Sequence, residues 1–268
     1  MTATNQAVDS QQWRLSFGHV IRSEYLKLVT LRSLRWTFAI TLILLVGTNL
    51  LIASLVTLDG IETLRVIGFG VAGDLAMLTA FVLGVLYVTG EYSSGMVKLT
   101  FSGVPRRGTV VAAKVTVLGV VGLVVYAIAE FVSFFLSAAI LTARGVEISF
   151  NPFLLTTTTE DTPNEILFEV LVGQVVFLTF ITLLGSFLAW IFRSTPLSIV
   201  IGFALLFALP AALLAIPGIP QVVIEYAPAA LSQMAIGDLT LLEGSIAAVV
   251  YLAVFWTIAA AIVSRRDV

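Results

Sequence analysis

Six apolar runs, each long enough to cross a lipid bilayer, leave this chain little choice of fold. They cover residues 36–58, 66–90, 109–143, 166–192, 197–216 and 244–263. A bilayer core is about 30 Å thick and takes about 20 apolar residues as a helix. Helices satisfy their backbone polar groups internally, which lipid demands. The runs are continuous rather than alternating, which argues against barrel strands. Composition agrees. Hydrophobic residues make up 59% of the 268 and charged residues 11%, against roughly 25% charged in soluble domains, and the mean hydropathy is +1.07. The expected fold is an all-α integral membrane protein. Residues 1–35 form a cytoplasmic segment with an amphipathic interfacial helix, and 36–268 form a six-helix transmembrane domain with both termini cytoplasmic. At ~1.5 Å per residue the third run is longer than the core requires, so it tilts, kinks or projects.

Charge placement gives the orientation. With the termini inside, 12 of the 14 Lys and Arg fall on inner segments, and only Arg65 and Arg144 fall outside. The outer loops, 144–165 and 217–243, are acidic. The first run is too long for a signal-peptide core and leads into no small-residue cleavage site, so it reads as a retained helix. Before it, Trp13, Phe17, Val20, Ile21, Leu28 and Leu31 recur at helical spacing on one face, with Arg22 and Lys27 opposite. Such a helix lies in the inner headgroup layer. Glu24 projects within this apolar stripe. It either pairs locally with Lys27 or an arginine, or contacts a soluble partner.

Several chemistries are excluded. There is no cysteine and only one histidine, His19, so thiolate sites and histidine-built zinc sites are impossible. None of the three lysines (Lys27, Lys98, Lys114) follows a glycine, so there is no P-loop. Gly68-Phe69-Gly70-Val71-Ala72-Gly73 spells a dinucleotide fingerprint but opens a membrane helix, where small residues serve close packing. Pro210, Pro217 and Pro220 are expected to kink or end the fifth helix. The segment from Gln221 to Pro228 is half apolar and should dip into the outer interface or form a short hairpin.

Two carboxylates lie well inside apolar runs, Asp74 and Glu130. Counting from the inner ends puts both toward the outer side, on neighbouring antiparallel helices. Each is either hydrated at the outer interface, or paired with Arg65 or Arg144, or part of a cation or proton site in a pathway.

The longest polar stretch between spans is Gly90-Glu91-Tyr92-Ser93-Ser94-Gly95-Met96-Val97-Lys98, followed by Val104-Pro105-Arg106-Arg107. With its surroundings, this loop resembles that of the type-2 ABC export permeases, and its Val-Pro-Arg-Arg style looks most like actinobacterial members. Family loops read E-Y-x-x-G-(T/M)-hydrophobic-(R/K), then proline and arginine. The resemblance implies a permease in the cytoplasmic membrane that forms a homodimer or heterodimer and binds two copies of a cytosolic ATPase. That ATPase carries the ATP and Mg, and this chain needs no cofactor and no nucleic acid. It also implies a coupling helix within 91–108. There Glu91 orients the helix start or pairs with the ATPase, and Tyr92 and Met96 give apolar contact. Gly95, Lys98 and Pro105 complete the motif, while Arg106 and Arg107 anchor at headgroups or pair with acids. The turn Arg193-Ser194-Thr195-Pro196 is short enough for a minor contact only. The expected function is export of an amphiphile (a drug, antibiotic, peptide or lipid) without chemistry on this chain. The alternatives are an ATPase-independent secondary transporter and a membrane enzyme.

Overall fold

The computed structural model describes residues 17–55, 69–96, 107–145, 165–233 and 239–265. These residues are helical apart from short turns. In chain order they form α1 (Phe17–Thr30), α2 (Arg32–Leu55), α3 (Phe69–Ser94), α4 (Arg107–Ala143), α5 (Glu165–Phe192), α6 (Thr195–Phe203), α7 (Leu209–Ala215), α8 (Gln221–Glu225) and α9 (Leu241–Arg265). Six helical spans are long and apolar enough to cross a membrane, with α6 and α7 counting as one. The chain is therefore a multi-pass helical membrane protein.

The bundle is built around α5. Its residues are buried on nearly every side, as expected of a helix that is apolar all round. It packs on α3, α4 and α9, and α2 packs on α3 and α4, so α2, α3, α4 and α5 form a four-helix ring. The outer faces of α2, α7 and α9 present large apolar side chains such as Ile43, Leu214 and Val249 to the surroundings. Glycines set the tightest contact. A Cβ on Gly84 of α3 would come 1.8 Å from the Thr182 carbonyl oxygen of α5, and one on Gly185 would come 2.3 Å from the Phe81 carbonyl oxygen. Gly73, at the end of the fingerprint-like run, is where the Gln174 side chain crosses α3.

Helix ends depart from the hydropathy boundaries in instructive places. The first long helix begins at Arg32 rather than residue 36, separated from α1 by Leu31 alone. Backbone bonds from Leu31 N–H to Lys27 C=O and from Arg35 N–H to Leu31 C=O, both 3.1 Å, carry the ladder across the junction. On α1 the buried residues are Val20, Glu24 and Leu28, whereas Phe17 and Leu31 are exposed. The inward face is thus rotated from the purely apolar stripe, and Trp13 lies outside the described residues. The third run forms one uninterrupted helix of 37 residues.

The fifth span contains a π-helical turn, Ala204–Ala208, immediately before α7. Pro210 lacks an N–H and its ring crowds the carbonyl four residues back. The π turn widens the ladder there, with Leu209 N–H bonding to Ala204 C=O. Ile216 then turns extended, Gly218 takes φ 84°, and Pro220 precedes α8. The segment after α8 packs back on the bundle. Ala227 and Leu231 are buried, and the Tyr251 hydroxyl donates to Tyr226 C=O at 2.9 Å.

Candidate functional site

The end of the bundle where α1 meets α2, α3 ends and α4 begins is the basic end. Here α1, α3 and α4 bring two carboxylates and two ammonium groups into one cluster. Lys114 of α4 donates to Glu24 Oε2 at 2.5 Å and to Glu91 Oε1 at 2.9 Å. Lys27 donates to Glu24 Oε1 at 2.6 Å and to the same Glu91 oxygen at 2.7 Å. The four charges alternate and sum to zero. Side-chain exposure is 1% for Glu24, 2% for Lys114 and 7% for Glu91, against 18% for Lys27. Three of the four charges are therefore held away from solvent, where an unpaired ion costs several kcal/mol.

The surroundings complete the cage. Tyr87, one helical turn before Glu91, places its hydroxyl 3.3 Å from Glu24 Oε2 and from the Glu24 carbonyl oxygen. Its ring lies under the Lys114 ammonium, 4.3 Å from the centroid, a cation–π geometry. Burial works to lower the pKa of Lys27, but the hydrogen bonds to Glu24 and Glu91 outweigh it and hold the ammonium above its usual 10.5.

The next residue begins a second set of contacts. Tyr92 stands edge-on to Trp190 of α5, with centroids 6.0 Å apart, and the Arg193 guanidinium lies 5.6 Å from the Tyr92 centroid. Arg193 follows α5 in the left-handed region, φ 54°, which costs a non-glycine residue about 1–2 kcal/mol. Its N–H bonds to Ala189 C=O at 2.9 Å, an αL ending of the helix. Thr195 donates to Thr89 Oγ1 at 2.8 Å, tying the start of α6 to α3. The turn after α5 is thus part of the same assembly as the motif.

The candidate residues divide by position. Glu91 turns its carboxylate into the bundle, onto two lysines of its own chain. Tyr92 is half-buried. Ser93, Ser94, Gly95 and Met96 are exposed at the tip of α3, Met96 by 40%, and Gly95 takes φ 72° as the helix ends. Lys98, Pro105 and Arg106 lie outside the described residues. Arg107 opens α4, with its side chain likewise outside them. Glu24 meets both Lys27, its local partner, and Lys114, 90 positions away.

The two intramembrane acids do not come together. Asp74 is exposed on α3, with the Ser232 hydroxyl as hydrogen-bond partner. Glu130 on α4 has 0% exposure, and neither carboxylate oxygen has a hydrogen-bond partner among the described residues. Arg144 is directed elsewhere, its Nη1 donating to Ala53 C=O at 2.6 Å. Within the ring, α3 and α4 lie across from each other rather than packed side by side.

Sequence reasoning did not single out Lys114 or Tyr87, and it named Arg193 only within a turn expected to make a minor contact. The available signal for Lys114 was its place seven residues into an apolar helix, where a lone ammonium needs an acid from another element. No family model matches the chain, and no curated protein matches it.

Proposed function

We propose that this chain is the membrane-spanning permease subunit of an ATP-driven exporter in the cytoplasmic membrane. It would work with two copies of a separate cytosolic ATPase, as a homodimer or heterodimer, with the basic end facing the cytoplasm. The substrate class is an amphiphile, in keeping with spans whose exposed faces are lined by large apolar side chains. The reading rests first on the loop motif from Glu91 to Arg107. The single observation that carries it is the ion cluster. Glu91, the first acid of the motif, is bonded to Lys27 of α1 and Lys114 of α4.

That linkage gives the motif a mechanical role. The exposed tip, Ser93 to Met96, is free to be pushed by a partner. A displacement there cannot move α3 alone, because the lysines tie Glu91 to two other helices. The motion passes to α1 and α4 as a unit. Tyr92, with Trp190 and Arg193, passes it to α5 and α6. A nucleotide-driven switch in the partner needs such a stiff connection to bias one helix arrangement over another.

The test uses the exposed tip, since Glu91 is committed internally. Full-length protein and the variant Met96→Asp are purified in mild detergent from membranes of the native host and reconstituted. Wild type should co-purify with an ATP-hydrolysing subunit and move a fluorescent amphiphile only when ATP is supplied. Met96→Asp should lose that subunit while melting as wild type does. Transport by the purified chain alone, without ATP, would overturn the proposal in favour of a secondary transporter.

A further inference from the structure

One buried carboxyl group lies in the four-helix ring, well away from the ion cluster, and the proposed coupling does not use it. Glu130 stands four residues after Tyr126 on α4, so the two share one helix face. Tyr126 shows where that face points. Its ring is 5.9 Å from Phe38 of α2, and its hydroxyl is 3.0 Å from Thr182 Oγ1 of α5. Glu130 therefore points into the ring, between α2 and α5. It has 0% exposure, and among the described residues neither of its oxygens has a hydrogen-bond partner.

No cation among the described residues reaches it. Helix α4 runs unbroken for 37 residues. Lys114 precedes Glu130 by 16 positions and Arg144 follows it by 14, which is about 24 Å and 21 Å along the axis. Lys114 is held by Glu24 and Glu91, and Arg144 donates to Ala53 C=O.

The elements packed against α4 supply no counter-charge either. Helix α2 carries no titratable residue beyond Arg35. On α5 the titratable residues are Glu165 and Glu169 in its first two turns. Their side chains lie outside the described residues, and as acids they have the wrong sign to neutralise Glu130. Helix α9 brings Glu243, which is bonded to Thr240, Tyr251, which donates to Tyr226 C=O, and Arg265 at its last residue. Helix α1 meets α4 at the basic end, beside Lys114, with its charged groups there. Across the ring on α3, Asp74 is exposed and has Ser232 as its partner.

An ionised carboxylate in this place would have neither water nor an opposite charge. Burying one unpaired costs far more than burying the neutral acid, and such a group takes up a proton instead. We propose that Glu130 is a proton-binding site. The closed ring holds it as the neutral acid, and the proton leaves when the ring parts and water reaches the carboxyl group. The closed and open arrangements then differ by one bound proton, so acid favours the closed ring and alkali the open one. The site lies on this chain alone and does not depend on the exporter reading.

The experiment records infrared spectra of the full-length protein in lipid vesicles at neutral pH. The C=O stretch of a neutral carboxylic acid stands clear of the amide and ionised-carboxylate bands. Wild type should show such a band, and Glu130→Gln, which keeps the shape of the neutral acid, should lack it. Carbon-13 labelling of the glutamates in wild type should move the band, which separates it from Asp74 without any substitution. A wild type with no glutamic-acid band, or a band unchanged in Glu130→Gln, would overturn the proposal. Melting in detergent then tests the linkage. The folded chain binds one proton more than the unfolded chain once free carboxyl groups ionise, so stability falls as pH rises. Wild type should lose melting temperature relative to Glu130→Gln from acid to alkaline pH. Parallel curves would overturn the proposal. So would a wild type stabilised at fixed pH by sodium or potassium chloride in place of choline chloride when Glu130→Gln is not, since a metal ion would then balance the charge.

Discussion

Removing the Lys114 ammonium is the sharpest probe of the ion cluster. In Lys114→Met the two carboxylates, Glu24 and Glu91, are left to share Lys27 alone, and a net negative charge stays buried. Lys114 and Glu24 are 2% and 1% exposed, so solvent does little to screen the loss. Breaking a buried pair by deleting one partner costs about 3–5 kcal/mol. The companion variant Lys114→Met/Glu24→Gln removes one charge of each sign and leaves Lys27 with Glu91, a neutral pair at 2.7 Å. Its stability should lie above that of Lys114→Met, although it carries one more substitution. Coupling between contacting residues runs to about 0.5–3 kcal/mol. The assay is a double-mutant cycle of Lys114→Met, Glu24→Gln, the double variant and wild type, unfolded in mixed micelles and followed by tryptophan fluorescence. Additive single effects, or a Lys114→Met protein within about 0.5 kcal/mol of wild type, would refute the reasoning, because the cluster would then hold nothing together.

Two further outcomes test the close helix contacts and the response of the cluster to pH. Gly84→Ala and Gly185→Ala should each destabilise the protein by about 1–3 kcal/mol, as overpacking does, because each new methyl group meets a carbonyl oxygen of the facing helix. Gly47→Ala, with nothing within 4 Å, should be neutral or stabilising by up to ~1 kcal/mol through helix propensity, and unfolding in micelles reads all three. The cluster should also show in alkali. The folded pKa of Lys27 lies above its unfolded value, so its contribution is fully present below pH 10.5 and fades as pH rises through the folded value. Lys27→Met should flatten that alkaline decline, measured as melting temperature against pH, while the wild type keeps it.

Apolar runs carried the helices and little of what joins them. Six spans were legible because lipid imposes both length and continuity. The split of charges between their ends was legible too, but only as a count. Lys114 entered that count as one more basic residue near a membrane surface, whereas its partners lie 90 and 23 positions away. No local pattern encodes such a contact. Glu24 gave the clearest hint, an acid in an apolar stripe. Its burial beside Lys114 is what turns α1 so that Val20 and Leu28 face inward and Phe17 and Leu31 do not. The proline-rich end of the fifth span was legible as a break, but a π turn that absorbs Pro210 depends on packing that no spacing shows. Glu130 was visible as an oddity.

The reciprocal glycine contacts of α3 and α5 bear on what can move. With backbone pressed against backbone at Gly84 and Gly185, there is no cushion of side chains to let one helix slide part of a turn along the other. The two form a single keel, and Phe81, wedged against Gly202, fastens the fifth span to it. With α1 and α4 tied to α3 at the ion cluster, a change of shape must therefore open where α2 leans on α3 and α9 leans on α5. A pair of cysteines joining α3 to α5 should leave activity intact, and a pair joining α2 to α3 should stop it.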